Sequence, residues 1–475
     1  MAPGREMRHW GWGEDAHAGP PPTHGIAWLE GLLGGPLDAP APPVPLADIT
    51  PPASKLKRRP AAALRAITGS DGVREDDAAR VLRAAGKGYP DLVRLRAGDA
   101  SPAPDAVVLP ADAAQVRAVL DACAAADVAI VPFGGGTSVV GGVEPERGGH
   151  QAVIALDLGR MARLVDLDAR SQLARLEPGL RGPEVEHVLR ERGFTLGHYP
   201  QSFEYATVGG WVATRSAGQA STGYGRIDAL VEGVRMAAPA GDLDLAPHPG
   251  TAAGPDLREL VVGSEGALGV LTEVTLRVRP RPEAGLYEAW MLPSFDAGRE
   301  AFRALIQEGV APDVARLSDE AETGMSLTLA GLKGAKAALL GRYLSARGVA
   351  SGCIAIVGWE GSPPRVVARR RATTAVLKRH GGVGLGSSPG VAWAKGRFHA
   401  PYLRDDLLAR GVMVETLETA TTWSNLEHLY TTVRAALGEH APFVACHISH
   451  LYATGASLYF TFLARQDVAD PIGQW

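Results

Sequence analysis

The stretch PFGGGTSVVGG, Pro132 to Gly142, carries five glycines in eleven residues directly after the apolar run Val128-Ala129-Ile130-Val131. Backbone N–H groups free of neighbouring Cβ atoms can approach an anion closely, so phosphate binding is the chemistry on offer. Two nucleotide loops fail on it. A Walker A loop needs GxxxxGK[ST], and no lysine follows; counted from Gly134, the last glycine of GxGxxG falls on Val139. Alone, the stretch reads equally well as a structural turn.

Two further stretches thin the backbone in the same way. In PQSFEYATVGGWVATRSAG, Gly209 and Gly210 follow Thr207, and Thr214 and Ser216 flank Arg215. In VVGSEGALGVLTEVTLRVRP, small residues dominate 263–269 between two apolar runs. Three such segments, each with hydroxyls alongside, point to one large planar and phosphorylated ligand: a dinucleotide held without a Rossmann fold. His447 and His450 in CHISH are candidate metal ligands by residue type. On a strand, however, positions i and i+3 face opposite sides, and no HxxE or HxH accompanies them, so no metal is expected. Cys123, Cys353 and Cys446 are far apart and odd in number, which indicates neither a disulfide framework nor a zinc site and fits a reducing compartment.

The elements that must position these segments are legible from periodicity. Residues 14–60 are proline-rich and read as an arm that wraps a surface without packing a core of its own. Helical spacing follows from 61 to 97. From Asp105, VVLP closes a short strand, DAAQVRAVLDACAAADV is an amphipathic helix and AIVPFGGG is a second strand, making a β-α-β unit. Short strands at 152–158 and 164–179, a helix at 182–193 and a strand pair around LVEGVRMAAPAGDL indicate α+β, not a doubly wound sheet. The doublet in RPRPE places a boundary at 283, giving an N-terminal arm and helical region (1–100), a middle domain (101–283) and a second α+β domain (284–475).

The composition is that of an ordinary globular chain, 46% hydrophobic and 21% charged over 475 residues. A net charge of -4 supplies no global basic field, so no nucleic-acid partner is expected, and Arg369-Arg370-Arg371 reads as a solvated helix face. The N-terminus lacks an apolar signal core, and nowhere do roughly 18 apolar residues run uninterrupted. A cytoplasmic protein with at most peripheral membrane contact is expected.

The order PFGGGTS, TVGGWVATRSAG, then GSEGALGV with TEVTLRVRP, resembles the FAD-binding, PCMH-type domain of the vanillyl-alcohol oxidase type of flavoenzymes, over roughly residues 100–283. The resemblance implies a two-subdomain FAD-binding fold followed by a substrate-binding cap, with the glycine loop wrapping the FAD pyrophosphate. It carries over to the cofactor Pro132, Phe133, Gly134, Gly135, Gly136, Thr137 and Ser138 from the first segment. From the second come Gln201, Ser202, Thr207, Gly209, Gly210, Thr214, Arg215, Ser216 and Ala217, and from the third Glu265, Gly266, Ala267, Leu268, Gly269, Val270 and Leu271. Some members attach FAD through a histidine in or near the glycine loop; none lies between Pro132 and Gly149, so the FAD is expected to be non-covalent. His198, before a turn, reads as a hydrogen-bonded structural residue.

MRHWGWGE near the start, the segment from Pro200 to Gly218 and CHISHLYATGASLYFTF near the end are similar to alkyldihydroxyacetonephosphate synthases. That resemblance implies exchange of the acyl chain of acyl-dihydroxyacetone phosphate for a fatty alcohol in ether lipid synthesis, with the flavin N5 holding the substrate and no net redox change. Such chemistry needs an anion clamp, a proton-transfer group and an apolar channel. Arg404 in APYLRDDLLARG matches the family's substrate-contacting arginine, Tyr459 in GASLYFTF its proton-transferring tyrosine and Arg316 in PDVARLSDE another arginine important to it. Read without the resemblance, Arg404 is a surface arginine paired with Asp405, Tyr459 a core tyrosine, and Trp10 and Trp12 packing aromatics. The alternative in the same superfamily is an FAD-linked D-2-hydroxyacid dehydrogenase of lactate, glycolate or 2-hydroxyglutarate type; a degenerate flavoprotein without turnover is the non-enzyme reading. The family continues past its Asp-Pro turn, here Asp470-Pro471, into a histidine run, whereas this sequence stops at Trp475, so the cap reads as truncated. A phosphorylated lipid, a long-chain alcohol and a second copy of the chain in a homodimer are the expected partners.

Overall fold

The structure, a computed structural model, describes residues 6–14, 23–331 and 334–475, and among these three sheets of four or more strands and one two-stranded pair carry the fold. The first sheet contains β1 (Val73–Arg74), β2 (Ala106–Val108), β3 (Val128–Phe133) and β4 (Ala152–Asp157) in the order β1-β2-β4-β3, with β2 and β3 both parallel to β4. The helix Ala113–Ala126 makes the crossover from β2 to β3. Asp112 caps it by accepting from the Gln115 amide, and Val116, Val119, Leu120 and Cys123 repeat at helical spacing to bury against Val128, Ile154 and Leu156. The expected β-α-β unit is present, and β3 delivers the glycine loop at its end.

β5 (Leu164–Asp168) and β6 (Leu173–Leu176) form a hairpin, β7 (Phe194–Thr195) stands apart, and β8 (Val231–Ala238), β9 (Gly241–Leu245) and β10 (Val270–Arg277) complete an antiparallel sheet ordered β5-β6-β10-β8-β9. β11 (Arg279–Pro280) pairs with β7. The helices Gly182–Arg190 and Val208–Ala213 join the core of this sheet through Val185, Leu189, Val208 and Trp211.

The third sheet is antiparallel, ordered β15-β12-β14-β13-β17-β18-β16, from β12 (Ala284–Leu292), β13 (Val314–Ser318), β14 (Cys353–Gly361), β15 (Val383–Gly386), β16 (Val412–Thr422), β17 (Phe443–Tyr452) and β18 (Gly455–Arg465). Leu458, Phe460, Cys446 and Ile448 are fully buried with Phe295, Phe302, Val366 and Leu426 of the helices on one face. Alternation along β17 and β18 therefore sends His447, Tyr459 and Thr461 to the other face. The architecture is α+β.

The proline-rich segment wraps a surface as expected, and its helix Thr23–Leu32 packs on the third sheet: Leu29, with Leu33 just after the helix, joins Leu407, Val412, Val414 and Leu463. The triple proline at 20–22 lies outside the described residues. One expectation needs correction: the arginine run is not wholly a solvated face. Arg369 pairs with buried Asp313 at 2.6 Å and Arg370 with Glu288 at 2.6 Å, while Arg371 is exposed.

Candidate active site

The three thinned segments meet around a cavity of about 470 Å³. Pro132, Phe133, Gly134, Gly135, Gly136, Thr137 and Ser138 line it from the first segment; Ser202, Thr207, Gly209, Gly210, Thr214 and Ser216 from the second; Glu265, Gly266, Gly269 and Leu271 from the third. The glycines have two separate reasons. A Cβ on Gly134 would collide with the Thr207 hydroxyl and one on Gly135 with the Tyr205 carbonyl, so their bareness lets the loop press against 205–207. The backbone N–H groups from Gly134 to Ser138, meanwhile, donate to no acceptor among the described residues. A row of unpaired donors in a partly buried loop demands an external acceptor, and a pyrophosphate suits it. The residues present fit FAD.

Other expected cofactor residues lie off this cavity. Gln201 and Ala217 line the neighbouring one. Arg215, in a left-handed conformation with φ 56, pairs with Glu259. Ala267 and Leu268 are exposed, and the Val270 side chain is packed into the core of the first sheet. His198 is buried, with Nε2 3.2 Å from the Ser216 hydroxyl and its ring edge-on to Trp211. A larger space of about 920 Å³ also borders the glycine loop, where Arg83 pairs with Asp157 and Glu6, and Arg160 with Asp71.

The neighbouring cavity, about 460 Å³, shares Thr137, Val139, Ser202 and Glu418 with the first. β16, β18 and β17 bring a row of side chains to it. Glu418 pairs with Tyr459 in the ladder, and Tyr459 with His447, so the three stand side by side on one sheet face. The His447 ring stacks on Tyr459 with centroids 4.9 Å apart and planes 23° apart. Its Nδ1 lies 2.9 Å from Glu322 Oε2 and 3.0 Å from Arg316 Nη2, and Arg316 closes the triad through a short bond to Glu322. Against a burial that would raise it, Arg316 and His447 hold the Glu322 carboxyl well below the usual range. Burial and Arg316 push His447 down, and burial pushes the Tyr459 phenol up, so the tyrosine keeps its proton at neutral pH.

Strand alternation misplaced the second histidine. A register shift between Ile448 and Leu451 lets Ser449 and His450 face the cavity together with His447. His450 Nδ1 is 2.7 Å from the Ser221 hydroxyl and its Nε2 is 3.6 Å from Glu418. Among the described residues no group of three or more His, Cys, Asp and Glu is arranged to hold a metal ion.

Arg404 faces the same cavity, with Nε and Nη2 donating to Asp405 at 3.2 and 3.0 Å and Nη1 donating to the Lys87 carbonyl at 2.7 Å. Trp28, Leu29, Leu403, Leu407, Val414 and Leu463 form a contiguous apolar wall. Sequence reasoning named Asp405 as the partner of Arg404 but missed Glu418, Lys87 and the helix Thr23–Leu32 as contributors. The alternation of VETLETATT in β16 signals that Glu418 shares a face with Val414 and Thr416; nothing local signals Lys87, which acts through distant backbone.

Family models for an FAD binding domain and for the C-terminal domain of FAD linked oxidases match residues 104–244 and 281–472. The alkyldihydroxyacetonephosphate synthase of Dictyostelium discoideum is 33% identical over 425 residues, 87% of this chain and 69% of the relative. A solved alkyldihydroxyacetonephosphate synthase superposes with a TM-score of 0.88 at 29% identity, over 99% of this chain and 91% of that one. By contrast, a mitochondrial cytochrome-type D-lactate dehydrogenase of Arabidopsis thaliana matches only 46% of this chain, at 32% identity. No helix among the described residues is long and apolar enough to cross a membrane. The chain belongs to the alkyldihydroxyacetonephosphate synthase family and is an FAD-dependent enzyme.

Proposed function

We propose that the enzyme exchanges the fatty acyl chain of an acyl-dihydroxyacetone phosphate for a long-chain alcohol, yielding an ether. One observation carries the reading: an arginine, a protonated tyrosine and a contiguous apolar wall open on a single cavity that joins the cofactor cavity at Thr137, Ser202 and Glu418. Gly134 to Ser138 would hold the FAD pyrophosphate, with the segments 201–217 and 265–271 along the rest of the cofactor. FAD supplies an electron-accepting ring system that activates the substrate carbon beside the carbonyl.

The chain's own residues do the remainder. Arg404 keeps a second hydrogen on each terminal nitrogen after its bonds to Asp405 and Lys87, and these meet the substrate phosphate. Tyr459 is the proton-transfer group: once the carbon next to the carbonyl has lost a C–H proton, the phenol returns one to that carbon and is reprotonated by the proton that was lost. Arg316, Glu322 and His447 fix the ring against which Tyr459 stacks. The apolar wall takes the alkyl chains and excludes water from the exchange.

The same reading divides the chain near residues 100 and 283, which limited proteolysis checks. Lipid substrates imply peripheral contact with a membrane surface, tested by co-flotation with vesicles, and light scattering tests for a homodimer. The central experiment incubates the FAD-loaded chain with palmitoyl-dihydroxyacetone phosphate and hexadecanol. An alkyl ether identified by mass spectrometry is the expected result; a flavin-loaded protein that makes no ether but is bleached by D-lactate or D-2-hydroxyglutarate overturns it.

A further inference from the structure

We propose that Glu418 is a second catalytic proton carrier, the carboxylate that takes the hydroxyl proton of the incoming alcohol; the inference rests on the exchange reaction proposed above. Among the residues shared by the two cavities, Thr137, Val139, Ser202 and Glu418, it is the one with a titratable group. It stands beside Tyr459 on the sheet face that floors the substrate cavity.

The other neighbour of Tyr459 in that row is unsuited to the task. His447 presents the face of its ring to the phenol, and its Nδ1 is engaged by Glu322 and Arg316. It is a positioning residue. Tyr459 keeps its proton, so it serves as a donor, and an exchange that strips a proton from an alcohol needs an acceptor as well. Glu418 keeps 41% of its side-chain surface accessible. Around it stand His450, with Nε2 at 3.6 Å, and Arg226, Tyr452 and Tyr459. The cavity walls desolvate the carboxyl although part of its surface stays open, and this raises its pKa, with Ser457 and Arg226 opposing, toward the range of a useful base.

The step balances without an added redox partner. The alcohol O–H bond breaks and leaves its electron pair on oxygen, which bonds the substrate carbon; the bond from that carbon to the acyl oxygen breaks, and its pair departs with the fatty carboxylate. Glu418 receives the proton and passes it to the departing carboxylate, ending as it began.

Glu418→Gln preserves size and removes the acceptor. The expected result is a fall in kcat of about 100-fold or more with KM for the phosphorylated substrate changed less than about threefold, loss of the acidic limb of the pH profile, and partial rescue by Glu418→Asp. A second readout is independent of turnover: the absorption spectrum of bound flavin, titrated with acid, should show a step in the wild type that Glu418→Gln lacks. Ether formation by the variant at the wild-type rate with an unchanged pH profile overturns the proposal while the exchange reaction stands. A wild type that makes no ether overturns both. A spectral step identical in the two proteins removes Glu418 from the cofactor junction.

Discussion

Asp405 holds Arg404 with one carboxylate oxygen and the N-terminal segment with the other. Its Oδ1 accepts from Arg404, while Oδ2 accepts the Trp12 amide in a short bond and lies 3.5 Å from Arg8. Lys87 completes the connection, accepting from Arg404 at its carbonyl and donating from Nζ to the Arg8 and His9 carbonyls at 2.7 and 3.2 Å. The amide of Lys87 in turn donates to the Ser138 carbonyl of the glycine loop at 2.6 Å. Residues from three distant parts of the sequence thus aim one guanidinium at the cavity that joins the glycine-loop cavity.

Loosening that aim should raise KM before it lowers kcat. Asp405→Asn keeps one acceptor oxygen and loses the charge. A KM for acyl-dihydroxyacetone phosphate about tenfold higher is expected, with stability lowered by about 3 kcal/mol because a buried ion pair is broken. Arg404→Lys, which cannot span both partners, should cost about 100-fold in kcat/KM. The double variant should cost less than the product of the singles, since both act on one network. Steady-state kinetics showing an unchanged KM in Asp405→Asn would remove the tether from substrate binding.

The glycine loop predicts a contrast between two alanine substitutions. Gly135→Ala drives a methyl group into the Tyr205 carbonyl, so the loop must leave its seat and the flavin-to-protein absorbance ratio should fall sharply. Gly141→Ala meets no atom within 4 Å and pays only for its left-handed backbone, φ +76, about 1 kcal/mol. It should bind FAD as the wild type does. Equal flavin content in the two variants would falsify the view that loop seating presents the N–H groups.

Tyr459→Phe keeps the ring against His447 and removes the phenol proton. Turnover should fall about 100-fold or more, with flavin content and thermal midpoint near those of the wild type. A variant that retains turnover excludes the phenol as the donor.

The parts of this architecture that read correctly from sequence are those encoded by local period. The helix from Ala113 to Ala126 repeats its apolar residues at helical spacing and carries its cap, Asp112, at the expected place. The glycine segments could be grouped because each strips its backbone in a short window. What escaped was set by tertiary contact. The shift in β17 between Ile448 and Leu451 leaves no mark in CHISHLY, yet it reverses the facing of His450. Lys87 looks like any lysine after a glycine; only the approach of Arg8 and Ser138 gives it a role. Leu29 of the helix Thr23–Leu32 and Leu33 just after it pack on β16 and β18, at the far end of the chain.

Buried histidines make stability depend on pH in a stated direction. Burial, with a smaller contribution from other charges, pushes His198 and His450 down to about 3. Below the unfolded value of 6.5 the unfolded chain binds protons that the folded one refuses, so stability present above pH 6.5 is lost as pH falls toward 3. Each histidine contributes about 1.4 kcal/mol per pH unit over that interval. Glu322, held low in the fold, adds a loss of the same sign once pH drops below 4.5. Lys87, lowered by burial to about 7, extends the trend upward, because between 7 and 10.5 the unfolded chain again binds the extra proton. Carboxyls that burial raises, such as Asp319, act in the opposite sense, so the comparison must be between variants. Urea midpoints measured from pH 7.5 to 5 should fall for the wild type and fall less steeply for His450→Asn and for His198→Asn, each variant removing one titrating group. Parallel curves for wild type and both variants would mean that neither histidine is held neutral by the fold.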